Sequence, residues 1–564
     1  MSIAELFRRG YERGVLLGLA AAVWFAALAR AAHDLWAASA MFAWATLLAC
    51  VFFVGRALDS KPVRLPLLLP CLLFLAGAAL SNLHSFDRWT TALETWIWAF
   101  CFLLALLFVN VAQDRRDLEL FAWASSAALV PLAFLIGAKL QRGGAIEGIA
   151  STFGRHLAIV ILFFGVFWAA ILFCVRALER KTGKDALWAF SAFACAAALR
   201  LLFTRWDIYY ESVHPLINHN VLVGFALYWF FFLWKKAFER SGHLLSFLPA
   251  FLVMIAARSW WSHVAILLGL LFYYRIPLRR MIAEHRAAFL GAACAAAALL
   301  LALVALKARQ HTQLIQGMNR FHWWTSALRM FLAHPLTGVG AGGFATAYPF
   351  YRAGAAQGTL HAHSFPLQLL AETGAAGALA ALLLGAAYRR LLLRSPEGAE
   401  DRRVFQATLA CVLCFAAIHI SLEYFLNKLL FVILLGSALV GRRLPAFRLR
   451  PLWCAAAPFF LVLLSPFWLG LLVSDRLCVA ARRQEERGDL QRAEELYKSA
   501  LSVEPSNAEC YWGLSRLSSR RYGAAGDRRA RAESWDYLRE GLRYKKDIGY
   551  FEEAQAARLD LQAR

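Results

Sequence analysis

A chain of 564 residues with 60% hydrophobic and only 17% charged side chains, at a mean hydropathy of +0.52, is too apolar for a string of soluble domains. Its formal net charge of +23 invites a nucleic-acid partner, but the basic residues lie in short loops between apolar stretches. Membrane orientation accounts for such loops, and nucleic acid is set aside as a partner.

The chain begins MSIAELFRRGYERG, a short basic start with no pattern of a cleaved leader before the first apolar run. Apolar stretches follow near 14–33, 36–55, 66–84, 91–112, 119–138, 156–176, 186–203, 216–234, 244–257, 260–274, 286–306, 366–388, 404–421, 425–441 and 452–473. They predict an all-α, polytopic fold of about 12–15 spans, because lipid offers backbone polar groups no partner outside a helix or a closed barrel. With the N-terminus in the cytoplasm, every second loop is basic: Arg56, Lys61 and Arg64; Arg115 and Arg116; Arg176 to Lys184; Lys235, Lys236 and Arg240; Arg275 to Arg286. Arg389 to Arg403 and Arg442 to Arg450 continue the alternation. It predicts that residues 307–365 and everything after the last span lie outside the cytoplasm. The expected organisation is therefore N-terminal spans over 1–306, a large outward loop over 307–365, further spans over 366–474 and a helical tail over 475–564.

Two places break the span pattern. The stretch 244–276 is too long for one span, yet each half around Arg258 covers only some 21 Å by the ~1.5 Å rise of a helix. A hairpin of two short helices leaves Arg258 recessed below the outer surface; the plain alternative is an arginine snorkelling to the interface. The outward loop RLLFTRWDIYYESVHPLINHNVLVGF holds Arg200, Arg205 and the run Asn218-His219-Asn220, where Asn218 also suits a helix N-cap.

The longest polar interruption, RFHWWTSALRMFLAHPLTGVGAGGFATAYPFYRAGAAQGTLHAHSFPLQLLAETGAAG, spans 320–377. It starts at Arg320, turns at His334-Pro335, and crosses Gly338, Gly340, Gly342 and Gly343, which permit close backbone approach. It then passes Arg352 and enters an apolar helix through His361-Ala362-His363-Ser364. The pattern Arg, WxxALRMFxxHPxxGVGxGxF, HAHSxxLQLLAETG resembles the signature of the O-antigen ligase and polymerase superfamily. The resemblance implies a bacterial inner-membrane glycosyltransferase that takes a glycan from an undecaprenyl diphosphate carrier. It further implies that the acceptor is a hydroxyl of lipid A-core or a growing polysaccharide, on the periplasmic side. It also implies a Ser/Arg pair at a hairpin tip, here Arg258-Ser259, and an NPN-type entry, here Asn218 to Asn220, with either Arg200 or Arg205 as the companion arginine.

Such a transfer needs cations for charge building on the departing diphosphate and a base for the acceptor proton. Permanently charged, forked guanidinium groups suit the first task, and the outward arginines are Arg258, Arg200 or Arg205, Arg320 and Arg352. Histidine suits the second. His363 aligns with the family's histidine, at the mouth of a helix whose free amides should keep the ring neutral. His361 is the second choice, and Ser364 takes the place after the base. Gln368 and Glu372, one turn apart, are expected either to orient an arginine or bind acceptor sugar, or to form an ion pair fixing helix packing; His419 and Glu423 pose the same question. No zinc-type Cys or His spacing is present, so no cofactor is expected and transfer is read as metal-independent. A repeat-unit polymerase, a protein O-glycosylating relative and, more distantly, a transporter or flippase are the competing readings.

In the tail, Gly488, Ala493, Tyr497, Ala500 and Pro505 fall at tetratricopeptide spacing. A short repeat buries little alone, so this domain should pack on the membrane domain or on a protein partner. Cys478 and Cys510 lie in it; a bond between them requires Cα atoms within about 7 Å, which spacing does not define.

Overall fold

The computed structural model describes residues 3–32, 34–132, 219–239, 260–284, 311–354, 358–393, 399–442, 450–525 and 528–546, with a few isolated positions beside them. In chain order the helices are α1 (Ile3–Leu28), α2 (Leu35–Asp59), α3 (Leu68–Leu80), α4 (Arg88–Val111), α5 (Arg115–Ser126), α6 (His219–Glu239), α7 (Trp260–Tyr273), α8 (Arg275–Glu284) and α9 (His311–Ala333). They continue as α10 (Phe344–Tyr351), α11 (Phe365–Leu393), α12 (Ala399–Ile418), α13 (Phe425–Ser437), α14 (Pro451–Leu463), α15 (Ser465–Glu486), α16 (Leu490–Val503), α17 (Ala508–Ala525) and α18 (Arg528–Tyr544). The protein is an all-α polytopic membrane protein; among the described residues the strands are the two-residue pair β1 (Val63–Arg64) and β2 (Ala446–Phe447), joined antiparallel. Five described helices are long and apolar enough to cross a bilayer: Gly10–Leu28, Leu35–Asp59, Arg88–Val111, Phe365–Leu391 and the run Leu452–Glu486 that takes in α14 and α15.

The described residues fall into two compact units. One draws on 1–128, 320–397 and 416–564, the other on 129–319 and 398–415. In the second, Gly269 of α7 admits the ring of Phe231 of α6, and the Trp234 indole donates to the Tyr274 hydroxyl at 3.3 Å. Asn220 is buried near the start of α6. Arg258, Arg200, Arg205 and, Ala250 apart, the first arm of the expected hairpin at 244–276 lie outside the described residues, whereas α7 covers its second arm.

The first unit carries the site. Its apolar centre joins α2, α4, α13 and α15: Phe42 stacks on Phe100 at 4.4 Å, with Phe425 at 6.0 Å and Trp468 at 5.9 Å. Helices α3 and α11 meet where a Cβ on Gly77 would lie 3.0 Å from the Gly377 Cα. Small residues of this kind let helices approach where lipid removes the hydrophobic drive between them. At one end Arg56, 4% exposed, pairs with Glu12 at 2.9 Å and donates to the Asn110 carbonyl. Asn110 in turn exchanges two hydrogen bonds with the Arg64 backbone. One of the basic loop residues is thus an internal lock between α1, α2 and α4.

The tail helices α15 to α18 stack in sequence. Tyr497 lies against Gly513, where any Cβ would clash, and its hydroxyl donates to Glu485, which Arg516 also holds at 2.9 Å. Ala493, Ala500, Cys478, Cys510 and Leu514 complete this core. The chain beyond α18 returns to the membrane domain: Lys545 bridges Asp87, and the Lys546 amide donates to the Phe86 carbonyl at 2.7 Å.

Candidate active site

The site is built on a broken helix. At Gly374 the backbone of α11 leaves the helical region (φ 60°, ψ −160°), a conformation that disfavours a side chain. The break frees main-chain groups that the loop between α9 and α10 then satisfies. The amides of Val339 and Gly340 donate to the carbonyls of Ala371 and Glu372, both at 3.0 Å. In return, the amides of Ala375 and Ala376 donate to Pro335 and Leu336 at 2.8 and 3.1 Å. Irregular backbone at membrane depth persists only when paired in this way. Gly338, at φ +69°, presses so closely on Glu372 that an added Cβ would stand 2.3 Å from its carbonyl carbon.

The Glu372 side chain fastens the same loop. One carboxylate oxygen accepts from the Gly342 amide at 2.8 Å, the other from Phe344 at 3.3 Å and from the Gln368 amide nitrogen at 2.7 Å. These amides open α10, an end that favours negative charge. Among the described residues Glu372 orients no arginine, against one expectation from sequence. Its ligands are backbone amides because α11 places it directly under the glycine turn. Gln368 carries the connection onward, its side-chain oxygen accepting from the Ala362 amide at 2.6 Å. One hydrogen-bonded chain therefore joins the glycine turn to the His361-Ala362-His363 segment.

Buried Ala362 sends its neighbours apart. His361 sits beside Gln368 at 3.5 Å, with the Tyr424 ring 6.2 Å away. His363 adopts φ +53° and lies face to face with Trp323 of α9, ring centroids 4.7 Å apart. Its Nδ1 is buried with no hydrogen-bond partner among the described residues. Burial first, and then the charge of Arg320, hold its pKa down to about 4. The ring is thus kept neutral by burial and a neighbouring cation, not by the helix end that sequence put first. Ser364 is buried, and its carbonyl accepts the first bond of α11 from Gln368 at 2.8 Å.

The arginines gather on the His363 side. The Tyr348 hydroxyl accepts from the Trp323 indole and from Arg352. Arg329 holds the Arg352 carbonyl at 3.1 Å, and Ser326 accepts from the Ala353 amide at 3.0 Å. Two arginines distant in sequence from His363 so flank one aromatic wall. Arg320, Arg352, His361, His363, Ser364, Gln368 and Glu372 all belong to this one unit, whereas Asn220 is placed in the other.

On the opposite side of Gln368 lies a small cavity of about 20 Å³ lined by Glu94, Trp98, Gln368, Glu372, Glu423 and Lys428, among others. Lys428 of α13 pairs with Glu94 of α4 and is 2% exposed. Sequence reasoning passed over Glu94 and Lys428, although a charge inside an apolar span was the available signal. Among the described residues no group of three His, Cys, Asp or Glu side chains is placed to hold a metal ion.

A polytopic helical bundle with a neutral histidine, two arginines and a polar loop seated in a broken span defines a membrane enzyme. The family model described as O-Antigen ligase matches residues 243–382, which takes in α7, the glycine turn and the histidine segment. No curated protein matches the chain. The match supports a membrane enzyme similar to the ligases and polymerases of that family.

Proposed function

We propose that the protein transfers a glycan from undecaprenyl diphosphate to an acceptor hydroxyl, at the periplasmic face of the bacterial inner membrane. The observation that carries this reading is a neutral His363, stacked on Trp323 and near enough to Arg320 to feel its charge. His363 takes the proton of the acceptor hydroxyl as its oxygen attacks the anomeric carbon. The bond from that carbon to the diphosphate breaks, and the diphosphate leaves with the bonding pair. Arg320 and Arg352, with Arg258 and one of Arg200 or Arg205 carried over from the family resemblance, meet the charge on the departing group. No metal enters this scheme.

Binding the anionic donor also sharpens the base. A diphosphate beside Arg320 offsets the charge that depresses His363, so the ring becomes a stronger proton acceptor once the donor is seated. Gln368 and Glu372 hold the histidine segment to the glycine turn, and Ser364 starts the helix behind it. The tail is read as a periplasmic tetratricopeptide-type domain.

The test uses purified enzyme and a lipid diphosphate donor, with donor affinity and transfer rate measured separately. His363→Ala should lower the rate by about 10²–10⁴-fold, the worth of general base catalysis, while donor affinity survives. Transfer at the wild-type rate would place the base elsewhere. Mass spectrometry of lipid-linked and surface glycans after gene deletion identifies the acceptor. Full-length carrier-linked polymer accumulates if it is lipid A-core, single repeat units if it is growing polymer, and glycopeptides vanish if it is protein. A C-terminal alkaline phosphatase fusion should be active if the tail is periplasmic.

A further inference from the structure

Two cysteines of the tail stand apart from the other thiols. Most cysteines of the chain lie singly on apolar spans, whereas Cys478 of α15 and Cys510 of α17 share one core with Tyr497, Ala493 and Leu514. They are 4% and 0% exposed, and both are free thiols packed within that one core. Neither belongs to the site around His363. The helices that carry them are held in register on both sides of the pair. Asn507 donates to Ser474 at 2.9 Å one turn before Cys478, and Arg482 pairs with Glu509 one turn beyond it. The two thiols are therefore brought together by contacts that do not depend on a bond between them.

We propose that Cys478 and Cys510 form a disulfide in the mature protein, stapling α17 to the helix that leaves the membrane. The proposal rests on the periplasmic placement of the tail, since disulfides persist in that compartment and not in a reducing cytosol. The oxidant is the disulfide of a periplasmic thiol oxidoreductase. One cysteine thiolate attacks it, giving a mixed disulfide and releasing one oxidant thiol; the second cysteine then displaces the other oxidant sulfur. The protein loses two protons and two electrons, and the oxidant leaves as a dithiol. Oxidation precedes closure of the helices, because the folded core leaves the sulfurs almost no access. Once closed, that core shields the bond from reductants.

The experiment is thiol counting on the full-length protein, taken from acid-quenched cells and alkylated in denaturant with and without prior reduction. Two fewer thiols should react before reduction than after it. A non-reduced digest should contain the linked peptides of Cys478 and Cys510, and Cys478→Ser should free Cys510 for alkylation. Equal alkylation of both cysteines with and without reduction overturns the proposal. A second arm separates its two supports: detergent-purified reduced protein is taken through a denaturant concentration that opens the tail and returned to native conditions in a glutathione redox buffer, and the alkaline phosphatase fusion is assayed. A bond that forms in the buffer but not in cells, with an inactive fusion, overturns the proposal through the placement of the tail. No bond in either arm, with an active fusion, overturns it through the geometry alone.

Discussion

Trp323 and His363 lie face to face, their ring planes 23° from parallel and their centroids 4.7 Å apart. The stack fixes the histidine in a left-handed backbone conformation that only its surroundings make tolerable. Trp323→Ala removes the wall, the desolvation and the indole donor to Tyr348 together. Transfer should fall by at least tenfold, whereas Trp323→Phe should keep much of it because the planar face remains. Equal activity in both variants, measured with a lipid diphosphate donor, would reduce the stack to packing.

The acid side of the pH profile follows from the same ring. With its pKa held at about 4, His363 of the free enzyme is neutral throughout the physiological range. The acid limb of kcat/KM should lie near that value, and that of kcat should lie higher once donor charge offsets Arg320. Arg320→Ala removes a cation that disfavours imidazolium, so it should shift the kcat/KM limb upward. The sign for stability runs with it. Between the ordinary histidine value of about 6.5 and the folded value, only the unfolded chain takes up the proton, so this contribution to stability is present above that window and lost as pH falls through it. A kcat/KM limb unmoved by Arg320→Ala would sever the coupling.

Among the described residues Gln368 is the side chain that joins the glycine turn, through Glu372, to the Ala362 amide. Gln368→Leu keeps its bulk but leaves a buried amide and a carboxylate short of partners, costing about 1–3 kcal/mol. The expected outcome is a large loss of kcat with little change in donor affinity, since the arginines lie on the other side of the histidine segment. His361→Ala, which removes a side chain from the far side of Ala362, should cost less than His363→Ala. The reverse ranking would make His361 the base.

Lys428 of α13, 2% exposed, pairs with Glu94 of α4, 19% exposed. Glu94→Gln alone leaves the buried Lys428 cation uncompensated and should destabilise the protein by about 3–5 kcal/mol. The double variant Lys428→Met with Glu94→Gln should recover a substantial part of that loss. Thermal unfolding in detergent reads both, and additive losses would show that the pair is not coupled.

Gly374 tests the broken helix. Alanine there would meet the Leu336 carbonyl carbon at 2.5 Å and would also have to hold φ 60°. The glycine turn should be displaced, with activity abolished while the protein still inserts. Full activity in Gly374→Ala would mean that the break does not seat the turn.

Hydropathy made the helices legible: α2, α4, α11 and α13 lie where runs of apolar residues demanded them. The glycine turn was legible as a place of close backbone approach, and the contact of Gly338 with Glu372 supplies its reason. Glu372 was noticed as an acid inside a span, but its hold on the glycine turn was not, because backbone amides leave no mark in residue type. Glu94 and Lys428 escaped notice because neither has an oppositely charged neighbour on its own helix to announce a pair. The meeting of Trp323 with His363 depends on how α9 crosses the mouth of α11, which no local pattern specifies.

Phe86 spends both of its main-chain groups on distant partners: its amide on Val339 of the glycine turn, its carbonyl on Lys546 of the tail. A ribosome delivers Phe86 early and Lys546 only 460 residues later. The nascent protein can thread its spans and bury its apolar faces long before that lock closes. Assembly of the glycine turn thus waits for the residues that follow α18, and a chain cut before them enters the bilayer without this clasp.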